Sequence, residues 1–313
     1  MLTRDIDAFI AFARDCAPDF GPATAKAAFL VAPDGFVLAE ESARDNRYMA
    51  EADAFDAARA SMQHRDLQRA LSACLPTICF AGDPATPDAV FPNNVFATAR
   101  GDARTGANSR PRLIVGRMRH AVRRREAERR DIRGFFRDAL GCEEIDLSPQ
   151  PHPCELTGAL VVDRARGLGF CGLSERCDAT GAARMHAAFG LRATLLFDLD
   201  PGEYHTNVVL AALAGRAVLL CPDGFADRAV ADAIAALYAP HAIALLPAER
   251  AAYAGNAIAL SPDSVWMSAT AADALSPAAR AGIAAAGFEI RSVALDAIEA
   301  AGGSLRCCVG EIF

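Results

Sequence analysis

Lysine is all but missing from this chain: Lys26 is the only one, so nearly all of the 32 Lys+Arg cations are arginine. That bias carries no functional implication by itself. The sequence also lacks any apolar run near the ~18 residues that span a bilayer, although 52% of its 313 residues are hydrophobic. It has no CxxC pair, no Cys/His cluster at zinc spacing and no glycine-rich phosphate loop. These absences argue against a membrane span, a zinc module and a nucleotide site of the P-loop kind. No linker or low-complexity segment interrupts residues 1–313, so one domain is expected. A net charge of −7 and a pI of about 5.4 disfavour a nucleic-acid partner. The opening MLTRDIDAFIAFARDCAPDF carries acids inside its apolar stretch, unlike a secretory leader. A cytoplasmic protein is the expectation.

Cysteine, by contrast, is plentiful, with ten residues. In a small secreted chain that number would suggest a disulfide framework. Spread through a long sequence without a leader, the ten are read as reduced thiols, one or more of them chemical.

From Thr157 onward one pattern recurs. Two short apolar runs flank a turn, an alanine-rich helical stretch follows, and a further apolar run ends the unit. The first copy is ALVVDRARGLGFCGL, a helix near Ala179–Phe189, then ATLLFDL. The second is NVVLAALAGRAVLLCP, a helix near Ala226–Tyr238, then AIALLPA. The third is NAIALSPDSVWMSA, a helix near Pro277–Ala286, then FEIRSVAL. The N-terminal half fits the unit less cleanly: strand KAAFLVAP, helix Glu51–Ala73, strand PTICFAG, then a hairpin of VFPNNVFATA and RPRLIVG. An arginine-rich helix running to Leu140 and the strand CEEIDLS complete it. The terminal SLRCCVGEIF reads as a strand able to pair with KAAFLVAP, which would close a ring of about five strand-strand-helix-strand units. An open doubly wound α/β sheet is the alternative, opposed by the two antiparallel strands before each helix.

In such a ring, functional residues gather where the hairpins begin, facing one central channel. Asp88, Asn93 and Asn94 open one unit, Glu155 and Thr157 the next, His205, Thr206 and Asn207 a third, and Asn256 a fourth. Ser304, Arg306 and Cys307 lie in the final strand. A thiol, an imidazole and a carboxylate at equivalent repeat positions suit nucleophilic attack, proton transfer and tautomer control. The bland readings are a small core thiol for Cys307 and a surface or hydrogen-bonded histidine for His205. Arg117–Arg133 interleaves glutamates at helical spacing and reads as a solvated helix face. Spacing alone does not choose between Cys307 and Cys308.

Six motifs in order carry a resemblance. PDAVFPNNVFATA resembles PDAVFPNNWFST of the bacterial citrulline-utilization hydrolases, with Val95 and Ala97 as departures. YHTNVV resembles YHTNVM of the same branch. CELTGALVVDR resembles LEGTGSLVLDR, with Leu156 and Ala159 departing. GFCGLSERCDATGA is similar to a stretch shared with dimethylargininases, YAGN to FAGN, and GGSLRCCVGEIF to GGGSARCMLAEI. The sequence thus resembles the guanidino-group-modifying, or pentein, superfamily of arginine deiminases, dimethylargininases and amidinotransferases, from about Ala27 to Phe313. The resemblance implies a five-fold pseudosymmetric α/β-propeller. It implies Cys307, not Cys308, as nucleophile, His205 as general acid/base and Glu155 as the carboxylate partner. A covalent thiouronium-type intermediate would be released by water, with no metal or cofactor. A reactive thiolate of this kind is expected to form well below the pH at which an ordinary thiol ionises.

The departures bear on substrate. Asn93–Asn94 stands where arginine-binding relatives have an acidic pair, and Asn207 replaces the Asp of their HxD. Amides donate as well as accept, which suits citrulline or another ureido compound, or an N-substituted arginine, over free arginine. Asp88 remains as one acidic contact, Ser304 as a further binding residue, and Arg124 as the expected partner of the substrate carboxylate. The expected partner is therefore a small guanidino or ureido molecule, with a homodimer left open. Two alternatives stand beside this hydrolase: an amidinotransferase on the same scaffold and a catalytically inert amino-acid sensor.

Overall fold

The apolar runs form a mixed α/β fold in which the strand-strand-helix-strand unit recurs. The computed structural model describes residues 1–49, 55–101 and 110–313, and within these the named strands form five sheets. Phe96–Ala99 runs antiparallel to Arg112–Val115, which lies parallel to Glu143–Asp146. Leu160–Asp163, Leu168–Leu173 and Ala193–Asp198 repeat that order, as do Leu210–Leu213, Ala217–Leu220 and Ala242–Ala244. Ile258–Ser261, Ser264–Ser268 and Glu289–Val293 make a fourth copy. In the fifth, Gly310–Ile312 pairs antiparallel with Ala27–Val31, with Ile312 opposite Ala27, and Thr77–Phe80 lies parallel beside it. The last strand and one from the N-terminal part of the sequence thus build one sheet. A short strand unforeseen in the sequence, Leu2–Thr3, adds to Ala193–Asp198.

Local chemistry sets the helices between strands. Asp178 accepts the Gly181 N–H at the start of Ala179–Phe189, and Gly190 ends that helix at φ +65, a left-handed conformation glycine adopts freely. Asp56 caps Ala57–Ser72 in the same way. The expected helix Glu51–Ala73 is this element, and the beginning of that range falls outside the described residues.

Two expectations need correction. The arginine-rich stretch does not make one helix to Leu140. It breaks into Ala121–Arg124, a 3-10 turn Arg125–Glu128, Arg130–Gly134 and a π-helical turn Phe135–Ala139, because Arg129 is extended at ψ 95. Nor is it a solvated face throughout, since Arg123 and Glu126 are buried and paired at 2.8 Å. The terminal segment is not a continuous strand either. Leu305–Cys308 is one helical turn, with the Cys307 and Cys308 N–H groups both donating to the Ser304 carbonyl, and the strand begins at Gly310. An apolar run of this length does not distinguish a helical turn from a strand.

The same device stands before other inner strands. Pro92–Asn94, Leu156–Ala159 and Thr206–Val209 are single turns leading into Phe96–Ala99, Leu160–Asp163 and Leu210–Leu213. Leu156–Ala159 touches both Pro92–Asn94 and Thr206–Val209, and Leu305–Cys308 touches Pro92–Asn94. The turns that open separate units therefore meet. No helix among the described residues is long and apolar enough to cross a membrane.

One buried group makes the fold sensitive to acid. His64, on Ala57–Ser72, is 1% exposed, and its Nε2 has no partner among the described residues. Burial pushes its pKa down from 6.5 to about 4, against smaller opposing effects from Asp34 and a backbone hydrogen bond with Val31. The unfolded chain binds this proton more readily, so stability is lost as pH falls from about 6.5 towards 4. The loss amounts to about 3 kcal/mol. In thermal melts, His64→Leu is expected to flatten the pH dependence of Tm across that window.

Candidate active site

Single turns that lead into strands place the candidate side chains. Glu155 sits at the N-cap of Leu156–Ala159, His205 at that of Thr206–Val209, and Ser304 at that of Leu305–Cys308. Their side chains converge. His205 Nε2 lies 2.8 Å from Glu155 Oε2, and both residues are 0% exposed. The other carboxylate oxygen accepts the Arg119 N–H at 3.0 Å, and Arg176 Nη1 approaches Oε2 at 3.4 Å. Burial alone would raise the Glu155 pKa. Arg176, His205 and Arg123 more than offset it and hold the carboxyl well below its ordinary range. The anion fixes the proton of His205 on Nε2, which leaves Nδ1 as a buried acceptor with no partner among the described residues. Burial, joined by Arg176 and Arg123, outweighs Glu155 and keeps the imidazole pKa below 6.5, so the ring is neutral at physiological pH.

Cys307 is 1% exposed. Asn256 Nδ2 approaches its Sγ at 3.3 Å and Asn207 Nδ2 at 4.0 Å, while the Cys307 N–H donates to Asn256 Oδ1 at 3.4 Å. Asn256 also donates to the Asn207 carbonyl, and Asn207 to the Thr157 carbonyl, which links the turns of three units. Burial pushes the Cys307 thiol up, only partly countered by the Ser304 backbone, Asn256, Arg306 and Arg123. This direction runs against the expectation of a thiol that ionises below the ordinary range. Desolvation of the anion outweighs the nearby donors and cations. Neighbouring Cys308 is buried too, with its thiol held higher still by burial and by Cys307. All ten cysteines are free.

A small cavity of about 20 Å³ opens onto Cys307, lined among others by Asp88, Asn94, Arg123, Arg176, Tyr204 and Ser42. Asp88 accepts the Ser42 hydroxyl at 2.6 Å. Asn94 Oδ1 and both amide atoms of Asn93 are buried without a partner among the described residues. Ser304 turns its hydroxyl to Glu299 at 2.6 Å and serves the site through its backbone. Arg124 is exposed and donates to the Met118 and Arg119 carbonyls. The arginines at the cavity are Arg123 and Arg176 instead. Sequence reasoning missed both: Arg123 because the stretch read as solvated, Arg176 although it stands within the GFCGLSERCDATGA motif. It also missed the segment 40–49, which packs across the cavity. No group of His, Cys, Asp and Glu among the described residues is arranged to hold a metal ion.

Gly158 is a sharp constraint on this geometry. A Cβ there would lie 2.6 Å from Asn94 Oδ1 and 2.7 and 2.8 Å from His205 Cε1 and Nδ1. Gly158→Ala is expected to displace the imidazole and lower kcat/KM about 100-fold, the scale of a misplacement near 1 Å. Steady-state assays beside circular dichroism check it, with the fold expected to persist.

A family model described as eukaryotic N,N-dimethylarginine dimethylhydrolase matches residues 32–313. The chain belongs to this family. It is accordingly a dimethylargininase-like member of the pentein guanidino-modifying superfamily, and a hydrolase acting on non-peptide C–N bonds of guanidino compounds. Solved structures share its fold over nearly the whole chain. The N-terminal domain of ArgZ, an arginine dihydrolase from the ornithine-ammonia cycle in cyanobacteria, was solved as a cysteine-to-serine mutant bound to substrate. It is 20% identical, with TM-score 0.76, covering 91% of this chain and 97% of that one. AgrE, solved with ornithine and NAD+, is 21% identical at TM-score 0.76, but this chain covers only 39% of it. A dimethylarginine dimethylaminohydrolase, solved as a histidine-to-glycine mutant in an adduct with S-methyl-L-thiocitrulline, is 22% identical at TM-score 0.67, covering 92% and 100%. No curated protein matches the chain.

Proposed function

We propose that this dimethylargininase-family protein uses Cys307 as nucleophile, His205 as general acid/base and Glu155 as the partner of His205. Its substrate is an amino acid carrying a guanidino or ureido head group. The observation that carries the reading is the convergence, from the opening turns of separate units, of a buried His205–Glu155 pair and a thiol held by two amide donors. The recurring sheet order and the pairing of the last strand with Ala27–Val31 support one domain of five units closed as a propeller.

The proton moves in a closed cycle. The Cys307 proton passes to neutral His205 as Sγ attacks the central carbon, and Glu155 stabilises the imidazolium. Collapse of the tetrahedral adduct breaks a C–N bond, and His205 returns the proton to the departing amine or ammonia. Water then attacks the carbon of the thiouronium, or of the thiocarbamate left by a ureido substrate, and gives its proton to His205. The C–S bond breaks and the thiol is restored. Asn256 and Asn207 donate to the sulfur when it carries charge.

Substrate choice follows the acceptors in the cavity. Asp88 supplies one carboxylate and Asn94 Oδ1 one unpartnered amide oxygen. That set suits a head group with few N–H donors, an N-methylated arginine or citrulline, better than free arginine. Arg176 and Arg123 supply the cationic side that a substrate carboxylate requires. A panel of methylated arginines, citrulline, N-acylated arginines and arginine, assayed for amine and ammonia release, tests the reading. Turnover of N-methylated arginine or citrulline above arginine is expected. Release of no amine or ammonia from any of them contradicts it.

A further inference from the structure

The two arginines at the cavity differ in one respect that bears on binding of substrate. Arg123 is tied to Glu126, three residues away on the same stretch, by Nε at 2.8 Å and Nη2 at 2.9 Å, and both are buried. That pair is internal to one stretch of chain. Arg176 is equally buried, but its counter-ion belongs to a different element. Asp45 takes Arg176 Nε at 2.9 Å and Nη2 at 2.5 Å, and the Ser42 carbonyl accepts from Nη2 at 3.0 Å. Arg176 Nη1 is directed at Glu155. The donors of Arg176 are thereby occupied.

Asp45 and Ser42 lie in the strap 40–49, which closes the mouth above Cys307. Ser42 donates to Asp88, Asn46 donates to the Gly302 carbonyl at 3.0 Å, Met49 bridges Ala301, and Tyr48 donates to Glu203 at 2.9 Å. With Cys307 1% exposed, substrate reaches the sulfur only when these contacts are released. Release leaves Arg176 as a buried cation stripped of a bidentate carboxylate, a costly state unless another carboxylate takes the place. The group facing Asp45 from the other side is His120, with Nε2 at 3.1 Å, so a displaced Asp45 keeps a partner.

We infer that Asp45 is a positioning residue that sets apparent substrate affinity: its carboxylate stands in for the substrate carboxylate on Arg176 and yields to it as the strap opens. The inference rests on the reading of Cys307 as the nucleophile for a guanidino or ureido amino acid. A substrate bearing a carboxylate replaces the interaction it breaks. A decarboxylated guanidino amine breaks the same pair and replaces nothing.

Asp45→Asn in the full chain tests this. Removing the internal competitor lowers KM for the carboxylate-bearing substrate about fivefold or more, the scale of one partly buried ion pair, and lowers that of its decarboxylated amine alike, because both break the same pair. Asp45→Glu keeps a carboxylate opposite Arg176 and is expected to leave both KM values near those of the parent, which serves as the control for a general disturbance of the strap. A KM for the amino acid that is unchanged or raised in Asp45→Asn overturns the inference, because Asp45 then only orients Arg176. If Asp45→Asn does not fold, Asp45→Ser, which also lacks the carboxylate, decides by the same criterion, and a KM for the amino acid that is unchanged or raised overturns the inference. Failure of the parent protein to turn over any guanidino or ureido amino acid would instead remove the underlying reading, and the two failures are told apart by the parent assay.

Discussion

Replacing Cys307 by alanine removes turnover, lowering kcat/KM by about 10⁴-fold or more, while the protein keeps its fold. The magnitude follows from the loss of the covalent route: without a nucleophile, only binding and the remaining donors act on the substrate. The expectation of an intact fold follows from packing. Cys307 is a small buried side chain, and the change deletes one sulfur atom beside Asn256 and Asn207. Those amides retain their bonds to the Asn207 and Thr157 carbonyls, so no amide is left without an acceptor. The cost is about 1 kcal/mol, within the range of removing a small group from a core. Cys308→Ala is the matching control. It lies on the same turn, its thiol is held higher, and its loss should leave kcat within a few-fold of the parent.

Glu155→Gln has the second largest effect, and it acts on activity and stability together. An amide in this position no longer fixes the proton of His205 on Nε2, and it no longer stabilises the imidazolium. Loss of the equivalent carboxylate in other nucleophile–histidine systems costs about 10⁴ in kcat with geometry intact. Here the charge also compensates Arg176 and Arg123, both buried. Removing one member of such a buried cluster destabilises a protein by about 3–5 kcal/mol. The sign with pH is set by the depressed Glu155 pKa: its contribution is present above the ordinary carboxylate range and is lost as pH falls through the lower folded value. Urea titrations at neutral pH should therefore show the variant less stable than the parent, with the gap closing in strong acid. A kcat that falls less than about tenfold would mean that Glu155 is structural only.

Repeat spacing makes much of this site legible in the sequence. Hairpin openings at Asn93, Glu155, His205 and Asn256 stand in register because each unit feeds one inner strand, and the turn before that strand faces its neighbours. The two antiparallel strands ahead of each helix are legible for the same reason, as alternating apolar runs separated by Gly, Asp and Pro. Illegible features are those set by contacts between distant segments. Nothing in EESARDNRYM marks it as a strap, since its role comes from Asp88, Arg176 and Gly302, far away in sequence. Arg124 lies outside the cavity, and its neighbour Arg123 lines it. Which arginine points inward depends on the break at Arg129 and on the partner Glu126, not on a regular helical period. The one-turn helix at Leu305–Cys308 is hidden because four residues are too few to show a period. The state of the thiol is also beyond sequence, because burial sets it.

A covalent bond between Cys307 and the substrate carbon is central to the proposed chemistry. The most direct measurement is intact-protein and peptide mass spectrometry after rapid acid quenching of the protein during turnover of an N-methylated arginine or citrulline, with S-methyl-L-thiocitrulline as an additional probe. The account predicts a mass increase on the peptide carrying Cys307 and Cys308, retained in Cys308→Ala and absent in Cys307→Ala. Turnover without any adduct, or an adduct that persists in Cys307→Ala, would contradict it.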